Sequence, residues 1–252
     1  MASPQRLALV TGAASGLGLA TVERLTADGR AAVMVDRSDK VLAIAERLRG
    51  EGRDAEGHVA NVMDEAAITA LVADVAARRG GIDILVNNAG GMPLPRGLSV
   101  ALEDMPTDIW NRTLALNMTS SFVLCRLVFP AMKAKGWGRI VNISSRAGRM
   151  AVPDTGVNYA AAKAGLIGMT RIVADQGARF GITANCVAPV RIGTPGGTNA
   201  TDEVMRNSLA RIPAGRLGLA TEVAATIAFL VSDDAAYITG TVVDVNGGAF
   251  MT

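Results

Sequence analysis

Thr11-Gly12-Ala13-Ala14-Ser15-Gly16-Leu17-Gly18 stands between an apolar run, Leu7–Val10, and an amphipathic stretch, Leu17–Ala27. The run before it reads as a short strand of a sheet buried on both faces, and the stretch after it as a helix. Glycines spaced G-x-x-x-G-x-G permit a tight turn and let backbone N–H groups approach a pyrophosphate at the helix N-terminus. Gly12, Ser15, Gly16, Leu17 and Gly18 are therefore candidate contacts to a dinucleotide. Asp36 closes the next apolar run, 18 residues after Gly18 (36 − 18). An acid there can accept hydrogen bonds from both hydroxyls of an adenosine ribose, whereas a 2′-phosphate would meet a repelling carboxylate. The expected cofactor is NAD, with the neighbouring Arg37 the residue best placed to reach a 2′-phosphate.

The same alternation continues outward. Ala31–Val35, Ile82–Val86, Arg139–Ile143 and Thr183–Val187 read as further strands. Lys40–Arg49, Glu65–Arg78, Ser121–Ala134 and Val157–Arg179 read as helices. Strand–helix alternation implies right-handed βαβ units, and hence an α/β fold with a parallel sheet covered on both faces. No repeat, low-complexity run or Pro/Gly/Ser linker marks a boundary, so residues 1–252 are expected to form one nucleotide-binding and catalytic domain. Gly193–Ala200 reads as a mobile loop leading into a short helix, Asp202–Ala210, within a substrate loop around 191–212.

Composition narrows the chemistry. Of 252 residues, 25 are basic and 23 acidic, and no basic tract points to nucleic acid. The longest clearly apolar runs, such as Ala224–Val231, have about eight residues, against roughly 20 for a membrane span. The start of the chain does not read as a signal peptide. Cys125 and Cys186 each lie in an apolar run and read as buried free thiols, which suits a reducing, cytoplasmic setting. His58 is the only histidine and lies in a strand-like segment, so neither a His-rich metal site nor a His-centred triad is expected. Proton transfer must then rest on another side chain.

Tyr159-Ala160-Ala161-Ala162-Lys163 supplies one. Residues four apart share a helix face. An ammonium beside a phenol favours the phenolate, lowering the Tyr pKa from its usual value of about 10. Three more segments accompany this pair: Asn87-Asn88-Ala89-Gly90 after a strand, Asn117 between two helical stretches, and Asn142-Ile143-Ser144-Ser145 at a strand end. In order and spacing these segments resemble the short-chain dehydrogenase/reductase family over Leu7 to Gly248. The resemblance implies a Rossmann-type doubly wound sheet of about seven strands and NAD-dependent interconversion of a secondary alcohol and a ketone. It makes Asn117, Ser145, Tyr159 and Lys163 the catalytic set. Tyr159 would be the general acid/base. Lys163 would also bind the nicotinamide ribose, Ser145 would hold the substrate oxygen, and Asn117 would hold a water linking Lys163 to solvent. Asn61, Val62, Asn88, Ala89, Gly90, Pro189, Ile192 and Thr194 join the cofactor contacts, the last two at the carboxamide. The resemblance also implies a homotetramer. The family pattern favours Ser145 over Ser144, although Ser145 to Tyr159 is one residue longer than usual.

The chain departs from the family at four places. Asn61 stands where an Asp commonly meets the adenine amine, Val190 replaces a Gly after Pro189, and Asn246 replaces an Asp in the C-terminal motif. Phe180 stands where relatives that read carrier-protein thioesters often have Arg. The alternatives are a 3-oxoacyl thioester reductase and a catalytically silent NAD-sensing regulator on the same fold. Arg96, Arg146, Arg149 and Arg191 fall in the pocket-forming segments and would suit an anionic substrate.

Overall fold

A computed structural model describes residues 5–92, 100–153, 155–193, 206–207 and 209–251. Seven parallel strands form the main sheet: β1 (Leu7–Thr11), β2 (Ala31–Asp36), β3 (Ala55–Val59), β4 (Ile84–Asn87), β5 (Gly138–Ile143), β6 (Ile182–Pro189) and β9 (Val242–Val245). Two short strands, β7 (Ile192–Gly193) and β8 (Gly218–Leu219), pair separately. The main order is β3-β2-β1-β4-β5-β6-β9, reversing direction between β1 and β4. In such a doubly wound sheet, ligands bind at that switch, outside the carboxyl ends of the strands.

Alternate residues of each strand feed two cores. Ala8, Val10, Ala32, Met34 and Val86 pack on one face against α1 (Gly16–Ala27), α2 (Lys40–Gly50) and α7 (Ala220–Leu230). Leu7, Leu9, Val33, Val35 and Leu85 pack on the other against α3 (Glu65–Arg79), α5 (Ser120–Lys135) and α6 (Val157–Ala178). Because both faces are covered, β1 reads as the continuous apolar run seen in the sequence, and all five of its residues are buried.

Asn117 is where the sequence reading of two separate helices needs revision. α4 (Thr107–Leu114) runs into α5 through one π turn, Ala115–Thr119, giving an unbroken helix over Thr107–Lys135. That helix is long and apolar enough to cross a membrane, yet Val123, Leu124, Val128 and Met132 lie buried against the sheet. These four side chains are spent on the core. Of the loop expected at Gly193–Ala200, Gly193 instead lies in β7 and pairs with Leu219, and the rest lies outside the described residues, as does most of the helix expected at Asp202–Ala210.

Candidate active site

The glycine turn is clamped from β4. Asn88 Nδ2 donates to the carbonyls of Thr11 (2.9 Å) and Gly12 (3.2 Å). Thr11 Oγ1 accepts the N–H groups of Asn88 (3.0 Å) and Ala89 (2.9 Å). The turn therefore has a fixed shape before anything binds. Gly12 holds φ +66°, which favours glycine. A Cβ on Gly18 would stand 2.1 Å from the Gly12 carbonyl oxygen, so only glycine lets α1 start this close to the turn.

A cleft of about 750 Å³ opens at this point, within the usual range for small-molecule sites. It is lined by eleven of the sequence-predicted contacts: Gly12, Ser15, Gly16, Leu17, Asp36, Arg37, Asn61, Val62, Asn88, Ala89 and Gly90. Met63 and Arg112 also line it and were not anticipated. Arg112 comes from α4, and no local motif brings that helix to the cleft. Asp36 is held in place: Oδ2 accepts Ala14 N–H (3.0 Å) and Oδ1 accepts Ser38 N–H (2.9 Å). Each carboxylate oxygen retains a second lone pair. Asn61 is exposed, and its side-chain oxygen accepts Met63 N–H at 3.1 Å.

Beyond Gly90 the Tyr-Lys pair comes into view. Lys163 Nζ lies 5.6 Å from the Tyr159 ring centroid and donates to the Ile143 carbonyl at 2.8 Å. The lysine is 3% exposed, and burial brings its pKa down to about 8. A Cβ on Gly90 would meet Asn117 Oδ1 at 2.7 Å and Lys163 Nζ at 3.2 Å, so Asn117 and Lys163 converge on one backbone position. The π turn aims the buried Asn117 there, and such turns recur at functional sites. Its Oδ1 accepts Gly91 N–H (2.9 Å), and its Nδ2 donates to the carbonyls of Gly91 (2.8 Å) and Thr113 (3.0 Å).

The two serines divide their work. Ser144 is buried and its hydroxyl donates to the Lys163 carbonyl at 2.9 Å, seating the helix turn that carries the lysine. Ser145 is half-buried, and its Oγ accepts Ala147 N–H at 3.1 Å, leaving its own hydroxyl proton to give. Asn158 was not anticipated. Its Nδ2 donates to Thr113 Oγ1 (2.8 Å) and its Oδ1 accepts Tyr159 N–H (2.9 Å), tying α4 to the start of α6 beside the tyrosine. Below the site, Asn87 donates to Asn142 Oδ1 (2.8 Å) and Asn142 to Thr170 Oγ1 (2.8 Å), locking α6 to β4 and β5. Burial raises the thiols of Cys125 and Cys186 to about 12 and about 11, so both stay protonated and inert. His58 sits in β3, 3.2 Å from Glu56 Oε1.

Comparison with known proteins agrees with this fold. A family model described as enoyl-(acyl carrier protein) reductase matches residues 12–249. The 3-oxoacyl-[acyl-carrier-protein] reductases FabG of Salmonella typhimurium and Escherichia coli K12 are each 42% identical over 247 residues, covering 98% of both chains. The chain belongs to the short-chain dehydrogenase/reductase family. Among solved structures, a 3-oxoacyl-[acyl-carrier protein] reductase from Brucella melitensis with bound NAD superposes with a TM-score of 0.91. It is 33% identical and covers 99% of this chain and 93% of its own. The structure of gox2181 gives 0.92 at 33% identity, covering 97% and 95%.

Membership makes the chain an oxidoreductase on a Rossmann-type α/β fold. Of the three residues expected at the nicotinamide end, two are described. Pro189 ends β6 and Ile192 is half-buried in β7, pairing with Gly218, while Thr194 lies outside the described residues. Of the four arginines considered for an anionic substrate, Arg149 is taken: Asp244 Oδ2 accepts from it at 2.8 Å and Phe250 lies under it at 4.7 Å. Arg96 also lies outside the described residues.

Proposed function

We propose that this chain is an NAD(H)-dependent reductase of a 3-oxoacyl thioester, with Tyr159 as general acid. The single observation that carries the chemistry is the convergence of Tyr159, Lys163 and Asn117 at Gly90, where the cofactor-sized cleft ends. Full-length likeness to the FabG reductases supports the choice of substrate. The clamped glycine turn, the close approach at Gly18 and the fixed Asp36 carboxylate fit a dinucleotide without a 2′-phosphate. Bound NADH supplies the hydride. The Tyr159 hydroxyl gives its proton to the carbonyl oxygen, and Ser145 donates a hydrogen bond to the same oxygen as charge builds there. The Lys163 ammonium favours the phenolate left on Tyr159 and binds the nicotinamide ribose. Asn117 holds a water that reconnects Lys163 to solvent.

A second reading, oxidation and reduction of a small secondary alcohol and ketone, draws support from Phe180. That residue lies between Lys133 (4.3 Å) and Arg179 (4.8 Å), where carrier-reading relatives have Arg. The regulator reading loses ground because all four residues of the catalytic set are present. We further assign the whole chain to one domain and the protein to the cytoplasm, in keeping with its two buried free thiols. The assembly would be a homotetramer through α5 and α6, with a mass by light scattering near four times 26.0 kDa. The deciding assay follows NADH absorbance with a 3-oxoacyl thioester, the matching free ketone and a cyclic ketone. The thioester should give the highest kcat/KM; turnover confined to simple ketones would replace the first reading with the second.

A further inference from the structure

Three arginines gather where the strands end. Arg146 directly follows Ser145 beyond β5, and Arg191 follows β6 by two residues. Arg211 adjoins Ile212, which packs on Gly247 just past β9, and Ala214 N–H donates to the Gly247 carbonyl at 3.0 Å. β5, β6 and β9 are adjacent in the sheet, so all three guanidiniums belong to the carboxyl-end rim where this fold binds ligands.

Several arginines elsewhere are answered by acids. Arg24, Arg47, Arg78, Arg79, Arg126 and Arg216 each lie within 4.0 Å of a carboxylate. Three residues beyond Arg146, Arg149 is answered by Asp244. Among the described residues, Arg146 and Arg211 have no such partner. Arg146 is half-buried, with the charges of Arg211 and Arg191 near enough to act on it. Burial first, and then these like charges, pull its pKa down. Like charges held together beside a catalytic serine are a preorganised anion site, because guanidinium binds carboxylate and phosphate through paired N–H groups.

We propose that Arg146, with Arg211 and Arg191 beside it, forms an anion subsite next to Ser145, so that the ketone carries a carboxylate or phosphate within reach of these strand ends. The inference rests on the reductase reading and narrows its substrate to 3-oxoacyl compounds that carry a negative charge near the ketone.

The test compares acetoacetate (carboxylate), dihydroxyacetone phosphate (phosphate) and methyl acetoacetate (neutral) in wild type, Arg146→Ala, Arg146→Lys and Arg211→Ala. Wild type should favour one of the anions over the ester by tenfold or more in kcat/KM, which also tells carboxylate from phosphate. Arg146→Ala should lower that ratio at least tenfold, about 1.4 kcal/mol, through KM. Arg211→Ala should lower it in the same direction, and Arg146→Lys should restore part of it. No charge preference in wild type, or equal losses on anion and ester, would overturn the subsite. Calorimetric titration with malonate and with inorganic phosphate, without cofactor, reads the subsite independently. At least one should bind wild type tenfold more tightly than Arg146→Ala, and equal binding overturns the proposal. Failure of wild type to reduce any ketone, with that difference intact, would remove the reductase reading and leave the subsite standing.

Discussion

Lys163→Met isolates the cost of holding a charge beneath the site. In the folded protein Lys163 titrates near 8, against 10.5 when unconstrained, because it is buried. That gap of 2.5 units (10.5 − 8) corresponds to about 3 kcal/mol. Between the two values the unfolded chain holds the proton and the folded chain does not. The contribution of Lys163 to wild-type stability should therefore rise with pH across that window, by about 1.4 kcal/mol per unit. Below pH 8 the full cost is present, and above 10.5 it is gone. Met lacks the titrating group, so its stability should not follow this rise. Losing the ammonium also leaves the Ile143 carbonyl without its 2.8 Å donor, a cost of about 1–3 kcal/mol that does not vary with pH. Cys125 and Cys186, raised by burial from 9.0 to about 12 and about 11, ionise only in the unfolded chain above pH 9 and lower the stability of both proteins alike, so the difference between them reads Lys163. Urea denaturation of both proteins without cofactor, from pH 7 to 10.5, reads the difference directly. Met should lose about 3 kcal/mol relative to wild type over that range; parallel curves would show that Lys163 is not a buried charge.

Two further outcomes bear on the cofactor. Gly18→Ala forces a Cβ to within 2.1 Å of the Gly12 carbonyl and 2.6 Å of Asn88 Nδ2. It should cost about 1–3 kcal/mol in stability and tenfold or more in NADH affinity by fluorescence titration, and wild-type values for both would contradict the clamped turn. Asp36 should make kcat/KM for NADH at least tenfold that for NADPH, with Asp36→Ala narrowing the gap; equal or better use of NADPH by wild type would show that Arg37 governs the choice.

What the sequence made legible follows from local rules. The β1–turn–α1 unit could be read because strand, glycines and helix are contiguous, and the structure moves its bounds by one residue at Thr11 and Gly16. Motif position favours Ser145 over Ser144, and in the structure the Ser144 hydroxyl is spent on the Lys163 carbonyl. Asn117 was found by resemblance, but its π turn was not, because an i→i+5 widening leaves helical periodicity on both sides almost intact. Asn158 and Arg112 went unseen because their partners come from other elements; Asn158 meets Thr113 on α4. The fate of Arg149 depends on Asp244, 95 residues away, and no spacing rule reaches that far.

The central claim is that Tyr159 moves the proton, and Tyr159→Phe tests it by removing one hydroxyl. With the best substrate and NADH, kcat should fall at least a thousandfold, about 4 kcal/mol, while the Kd for NADH stays within threefold of wild type. Turnover close to wild type in that variant would contradict the account.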